Sequence, residues 1–520
     1  MRPSLRDLPR HPVFLPLTLL LLGGAAVALR AVDLGGRDLW TDEAWVALAA
    51  LKPAPGEALA AGQSTPPLYL LTIWAAAQIL GGSEAVLRSL SFLFGVGTLA
   101  AGWLLARSLA PLSASLVSLA ALAFSPVLVY YSKELKQYSG DAFWAVLLFL
   151  LVERLRAGPR RLWAWAALGL AGLVGPGFSQ TLIFILPVAA LVLWCSLPSD
   201  LRPRVALLGG FWLLSLAAGY FLFIRRQLDP ELVAYWTQDF PDFSGLAPFG
   251  LWLGSALYRY FWYFLGEWGV FWGPPLALAG VVWWRRHGCG RAVLYFLGPL
   301  LLAFAAACLH RYPFMAHYGG NRLMLFSAPL LYLTVAVGGC AAFTWLWRAR
   351  QGWLGLILAG LLLVSLHPLE NLRENLHPLA NREEIQPLVA ELARQVQPRD
   401  LVYVYYFAIP PFKYYYRGPA ARLCWGKSCV ETGLKTTPEA GPPPARLWLL
   451  ASHIVDLAQM REFAAGLLGP HWQECACQTR VGAALLRFEK REQAVAAKPP
   501  VLVESPESAA ATLPAGSADN

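Results

Sequence analysis

Two adjacent carboxylates, Asp42 and Glu43, follow the first long apolar stretch of this chain, in the run DLWTDEAWVALAA between Trp40 and Trp45. Carboxylates are costly in hydrocarbon, so acids at the edge of a membrane span are either solvated or functional. The flanking indoles suit a helix lying at headgroup depth. A base held there can take the proton of a hydroxyl or amine that attacks a lipid-linked electrophile. The competing reading is an ordinary polar loop, and the surrounding sequence decides between them.

Further polar groups recur in a few segments. GGSEAVLRS carries Glu84 and Arg88, and SPVLVYYSKELKQYSGD carries Lys133, Glu134, Lys136, Tyr138 and Asp141. GPGFSQT carries Gln180, which can meet sugar hydroxyls or cap a helix; HRYPFMAHYGGNR carries His310, Arg311, His317 and Arg322. Positioned cations stabilise a departing anion. Arg grips phosphate at two points better than Lys, so Arg322 ranks first, Arg88 second and Lys136 third. Each of these can instead be a cation snorkelling at the interface. Tyr130, Tyr131 and Tyr138 fit an interfacial belt. His310 and His317 lack metal-site spacing and adjacent acids, which leaves substrate or headgroup contact or a structural role for His317.

The elements that must position these groups are membrane helices. Of 520 residues 57% are hydrophobic and 14% charged, and the mean hydropathy is +0.48. Such a chain is a polytopic membrane protein. Its net charge of +10 sits in short Arg clusters between apolar runs, a topology signal and not a nucleic-acid stripe. Arg2, Arg6 and Arg10 place the N-terminus in the cytoplasm, with an uncleaved first helix. Placing the later clusters there too predicts eleven spans: 12–32, 86–106, 111–130, 141–157, 162–178, 180–197, 205–224, 266–284, 292–309, 322–345 and 353–366. The stretch 66–80 is left as an in-plane or re-entrant helix on the outer face, and 225–265 as a long external loop. The acids and cations then gather on one face, outside the cell membrane.

The loop motifs carry a resemblance. DLWTDEAW, TPPLYLLTIW, SPVLVYYSKELKQYSGD and YPFMAHYGGNRLMLFSAPLLYL, in that order, resemble the GT-C glycosyltransferases over about residues 10–365. The branch they look most like is the protein mannosyltransferase and aminoarabinose transferase superfamily. The resemblance implies a catalytic base at Asp42 with Glu43 beside it, a polyprenyl-phosphate sugar as donor, and no obligatory cofactor. Some oligosaccharyltransferases of this type use a divalent metal, which Asp42 and Glu134 would share here. Two departures stand out: Thr65 precedes the Pro-Pro where aminoarabinose transferases carry Lys, and Glu134 and Asp141 compete for the second-loop acid. The remaining donor and acceptor contacts fall to Arg88, Lys136, Tyr138, Gln180, His317 and Arg322.

Beyond 366 the composition changes. Residues 381–397 read as an amphipathic helix with Asn381 as N-cap and Glu384 closing a capping box. DLVYVYYFA reads as a strand, PPFKYYYRG as a short helix or turn, RLWLLAS as a strand, IVDLAQMREFAAGLLG as a helix and GAALLRFEK as a last strand. The expectation is a GT-C-like membrane domain over 1–366, a small external α/β domain over 367–490, and a disordered tail over 491–520. Cys424, Cys429, Cys475 and Cys477 are expected to form two disulfides joining 424/429 to 475/477, with zinc as the alternative.

Three function classes fit. The first is an inverting transferase taking a hexosyl or pentosyl group from a polyprenyl-phosphate donor to a lipid, glycan or protein acceptor, with membrane lipids as its surroundings. The others are a polytopic transporter, which would carry charges within mid-span positions, and a non-catalytic envelope assembly protein.

Overall fold

The computed structural model describes residues 14–227, 235–317, 320–365, 372–373, 383–426, 444, 446–454 and 456–491. The chain divides into two compact units, Met1–Gly35 with Ala49–Pro378, and Gly36–Leu48 with Leu379–Asn520. The cluster Arg2, Arg6 and Arg10, the cap Asn381, Cys429 and the tail beyond Arg491 lie outside the described residues.

The first unit is helical, as its apolar run lengths demand. Helices run over Phe14–Ala31, Pro67–Leu80, Glu84–Leu109, Leu112–Phe124, Pro126–Ser132, Tyr138–Ala157, Leu162–Val174, Leu182–Ser196, Arg202–Leu222, Leu246–Leu265, Gly269–Arg286, Gly290–Cys308, Ala328–Arg348 and Gly352–Ser365. Among the described residues four are long and apolar enough to cross a membrane alone: Glu84–Leu109, Ser199–Leu222, Gly290–Cys308 and Gly320–Arg348. The Pro67–Leu80 helix, at 1.5 Å per residue, covers about 21 Å, short of a hydrocarbon core of about 30 Å. The stretch 225–265 is not merely a loop. It holds a 20-residue helix, Leu246–Leu265, whose buried Ala256, Tyr260 and Phe264 recur every fourth residue on one face.

The run expected as one span over 111–130 is broken. Leu112–Phe124 and Pro126–Ser132 meet at Ser125 with a bend of 53°. Pro126 has no N–H to give the Leu122 carbonyl, and the bend takes the next donor from Ala123. In an apolar surrounding those carbonyls need another partner. Arg30, buried near the end of the first helix, supplies it. Its Nη2 donates to Leu122 O at 2.8 Å and its Nη1 to Ala123 O and Ala26 O, each at 3.0 Å. Ser125 Oγ accepts from Leu128 N at 3.3 Å and bonds Tyr332 Oη at 2.7 Å.

Two features join distant helices. Glycines let Gly269–Arg286 and Ala328–Arg348 touch backbone to backbone: a Cβ on Gly280 would lie 2.1 Å from Thr334 O, and one on Gly338 1.9 Å from Leu276 O. Glu153, buried near the end of Tyr138–Ala157, accepts from Arg156 Nη1, from Arg291 Nε at 2.9 Å and from Tyr295 Oη at 2.8 Å. Arg156 and Arg291 belong to the Arg clusters between apolar runs and share this one carboxylate.

The second unit contains a five-stranded mixed sheet. Strands β1 (Leu401–Val404), β2 (Arg422–Trp425), β3 (Arg446–Ser452), β4 (Trp472–Arg480) and β5 (Ala483–Lys490) lie in the order β2-β1-β3-β5-β4. β1 is parallel to β2 and β3, and β5 is antiparallel to β3 and β4. Strand alternation sends Val402, Val404, Trp448, Leu450 and Leu485 to one face with the Gln386–Gln395 and Ile409–Tyr415 helices. Tyr403, Leu447, Leu449, Leu486 and Phe488 go to the other with Leu457–Leu468.

Several expectations for this unit need correction. β2 and β4 were not expected, and β1 ends at Val404, followed by a 3-10 turn at Tyr406–Ala408. The first helix starts at Gln386, so Glu384 closes no capping box; its N–H bonds the Val481 carbonyl instead. The cysteine pairing also differs. Cys424 is disulfide-bonded, but Cys475 and Cys477 are free thiols, so the cross-link between 424/429 and 475/477 is not formed. Burial pushes both free thiols above the ordinary cysteine range. A maleimide should therefore label Cys475 and Cys477 without reductant, faster as pH rises and thiolate forms, while Cys424 labels only after reduction. Peptide mapping that finds Cys475 and Cys477 blocked until reduction would refute this arrangement.

Candidate active site

The acid pair lies in the first turn of the Thr41–Ala50 helix, where carboxylates meet the positive end of the helix dipole. Asp42, Trp45 and Leu48, three residues apart, are half-buried, while Glu43 is buried. Successive helical residues point about 100° apart, so the two acids occupy different environments, with Asp42 the more accessible.

The segment leading into this helix is bound to the sheet-bearing part of its own unit. Asp38 Oδ2 accepts from Gln386 N at 2.8 Å and thereby caps the Gln386–Gln395 helix. Leu39 N donates to Tyr415 Oη at 2.7 Å. Thr41 Oγ1 donates to the Phe407 carbonyl at 2.5 Å and lies 3.4 Å from Glu383 Oε2. The Trp40 ring stacks on His453, with centroids 6.4 Å apart and planes 17° apart.

The remaining sequence-selected residues belong to the first unit, and two of them lie in the break between Pro126–Ser132 and Tyr138–Ala157. Glu134 and Lys136 are buried in this break, and Tyr138 starts the next helix. Ser91 Oγ donates to the Lys136 carbonyl at 3.0 Å and bonds Tyr69 Oη at 2.8 Å, which ties the break to the Glu84–Leu109 and Pro67–Leu80 helices. Gln137 Nε2 donates to Ser64 O, beside the Thr-Pro-Pro turn, at 3.2 Å. Arg88 is fully buried with Nη1 on Leu34 O at 3.2 Å, so it is not a cation snorkelling into water.

Arg322, in the 3-10 segment Gly320–Ser327, places its guanidinium carbon 5.4 Å from the Tyr138 ring centroid. Gln180 is half-buried, and its neighbours do the visible holding: Ser179 Oγ and Thr181 Oγ1 donate to Asp141 Oδ1 at 2.5 Å and 3.2 Å. His317 is engaged by a buried acid. Its backbone N and Nδ1 both donate to Asp239 Oδ1, at 2.8 Å and 2.7 Å, which leaves Nε2 to accept from Arg259 Nη1 at 2.8 Å. Arg259 Nε donates to Met315 O at 2.7 Å.

Sequence reading selected Tyr138 and Arg322 separately, and the structure brings them together. Ser179 and Thr181 were not selected, and Asp239 and Arg259 were read only as polar residues of the long 225–265 loop, without an assigned role. The hydroxyls on either side of Gln180 were the available signal for the first two. No sequence spacing connects Asp239 with His317. Among the described residues no group of three or more His, Cys, Asp and Glu could hold a metal ion.

This architecture defines a helical multi-pass membrane protein that also carries a small sheet-bearing unit. Residues 64–223, a minority of the chain, match the family model for dolichyl-phosphate-mannose-protein mannosyltransferase. ArnT from Cupriavidus metallidurans in the apo state is 14% identical, with a TM-score of 0.50 over 91% of this chain and 98% of that one. The same protein bound to undecaprenyl phosphate is also 14% identical, with a TM-score of 0.51 over 90% and 97%. The oligosaccharyltransferase AglB from Archaeoglobus fulgidus, in complex with an inhibitory peptide and a dolichol-phosphate, is 13% identical, with a TM-score of 0.48 over 89% and 69%. No curated protein matches by sequence. The family-model match over residues 64–223 lies within the GT-C superfamily that the loop motifs resemble, and the two ArnT structures share this chain's fold.

Proposed function

We propose that this protein is an inverting glycosyltransferase that moves a sugar from a polyprenyl-phosphate donor to a lipid, glycan or protein acceptor on the outer face of the cell membrane. The observation that carries this reading is the accessible acid in the first turn of a short helix, directly after the first apolar helix, in an ArnT-like fold. Asp42 takes the acceptor proton as its oxygen or nitrogen bonds the anomeric carbon. The bond from that carbon to the phosphate breaks on the opposite face, and polyprenyl phosphate leaves with the charge. Cations stabilise that charge. Arg322 and Arg88 are assigned to it, with Lys136 behind them. Glu43, Glu134, Tyr138, Gln180 and His317 shape and hold the substrate-binding surfaces. The eleven-span threading, the cytoplasmic N-terminus and the division at 366 and 490 belong to the same proposal.

Mass spectrometry of polyprenyl-phosphate sugars and surface glycans in a deletion strain tests it. One lipid-linked sugar should accumulate while one glycan, lipid or protein loses that sugar, and the intact gene should restore both. Unchanged pools and unchanged glycans would refute the transferase reading.

A further inference from the structure

We propose that Glu383 and His453 are positioning residues that clamp the turn carrying Asp42, so that the sheet-bearing part of the second unit sets the geometry of the proposed base. Its catalytic meaning rests on the transferase reading; the clamp itself does not.

The argument begins with a backbone anomaly. His453, just past the end of β3, has φ of 59°, a left-handed conformation disfavoured for a residue with a Cβ. Such a conformation persists only where surrounding contacts impose it. Three contacts do so. His453 Nδ1 donates to Glu383 Oε1 at 2.8 Å, its ring stacks on Trp40, and Phe407 packs on it with centroids 4.9 Å apart. Glu383 is buried, and burial of a carboxylate is costly unless its oxygens are engaged. One oxygen takes His453; the other lies 3.4 Å from the hydroxyl of Thr41, the residue before Asp42.

The Thr41 proton itself goes to the Phe407 carbonyl at 2.5 Å, so the clamp reaches the turn through the His453 stack on Trp40, through Phe407, and through the Glu383 contact with Thr41. It is reinforced on the preceding side, where Asp38 and Leu39 bond Gln386 and Tyr415. Four consecutive residues, 38–41, thus contact elements that begin more than 340 positions later in the chain. A general base must be held to within a fraction of an ångström of its proton. Short helices do not hold themselves that firmly, because a helix of this length is marginal alone. Glu383 and His453 provide the restraint without touching substrate.

Hydrogen–deuterium exchange on the full-length protein in detergent micelles tests the clamp without any substrate. In His453→Ala and Glu383→Ala, peptides spanning 39–48 should exchange about tenfold faster, from loss of charge-assisted bonding. β3 and β5 should keep wild-type protection. Glu383→Gln keeps an acceptor for His453 and should restore slow exchange. Thr41→Val, which loosens the clamp from the other side, should also speed 39–48. Unchanged exchange in 39–48, or equal loosening of the sheet, overturns the clamp.

The catalytic meaning is read in cells. His453→Ala should accumulate the lipid-linked sugar partially, and Asp42→Asn fully. Accumulation in Asp42→Asn with none in His453→Ala, despite loosened 39–48, overturns the positioning role. No accumulation even in Asp42→Asn instead indicts the transferase reading.

Discussion

Asp42→Asn should abolish sugar transfer while expression and membrane insertion stay at wild-type levels. Asparagine keeps the size of the side chain and its place in the first helical turn, but it cannot accept the acceptor's proton. Loss of a general base costs about 10²–10⁴ in rate. Glu43→Gln should cost far less in turnover and more in stability, because Glu43 is buried while Asp42 is the accessible acid of the pair. The check is donor accumulation and glycan loss in strains carrying each variant at matched protein levels. A wild-type glycan profile in Asp42→Asn with loss in Glu43→Gln would reverse the assignment. Two silent variants would remove the acid pair from the mechanism.

Arg30→Ala should be among the most destabilising single changes in the first unit. It removes three charge-assisted bonds and leaves the buried Leu122 and Ala123 carbonyls without their donor. A buried acceptor left without its donor costs about 1–3 kcal/mol, and two carbonyls are left so here. Pro126→Ala in the Arg30→Ala background should recover part of the loss, because an N–H at position 126 can reach Leu122 O and straighten the chain. Thermal unfolding in detergent, measured as a double-mutant cycle, reads the coupling. Strictly additive losses would show that Arg30 and the bend act independently.

The helices were readable because an apolar run near twenty residues has few other stable forms, and Phe14–Ala31, Glu84–Leu109 and Arg202–Leu222 fall close to their expected bounds. The bend at Ser125 was hidden inside a continuous apolar run; its signals, Ser-Pro and a lone Arg30, are weak until paired. Leu246–Leu265 was missed because Arg259 and its many aromatics read as loop. β4 was missed because WQECACQTR has little apolar alternation, as suits an edge strand. The acid pair was legible, since carboxylates beside a span are rare enough to question. Its supports Glu383 and His453 were not, because contact across that sequence distance leaves no local pattern.

The binding of residues 38–41 to elements beyond 383 has a temporal consequence. Asp38 and its partner Gln386 are separated by 348 positions. At synthesis rates of about 5–20 residues per second, the acid-bearing segment emerges tens of seconds before the elements that fix it. The membrane helices can be inserted and packed while the Asp42 turn is still unrestrained. The Asp42 turn is thus expected to settle only once synthesis has passed His453, and a chain terminated before that residue would lack the contacts that fix it. Quality control on helix insertion alone would pass it.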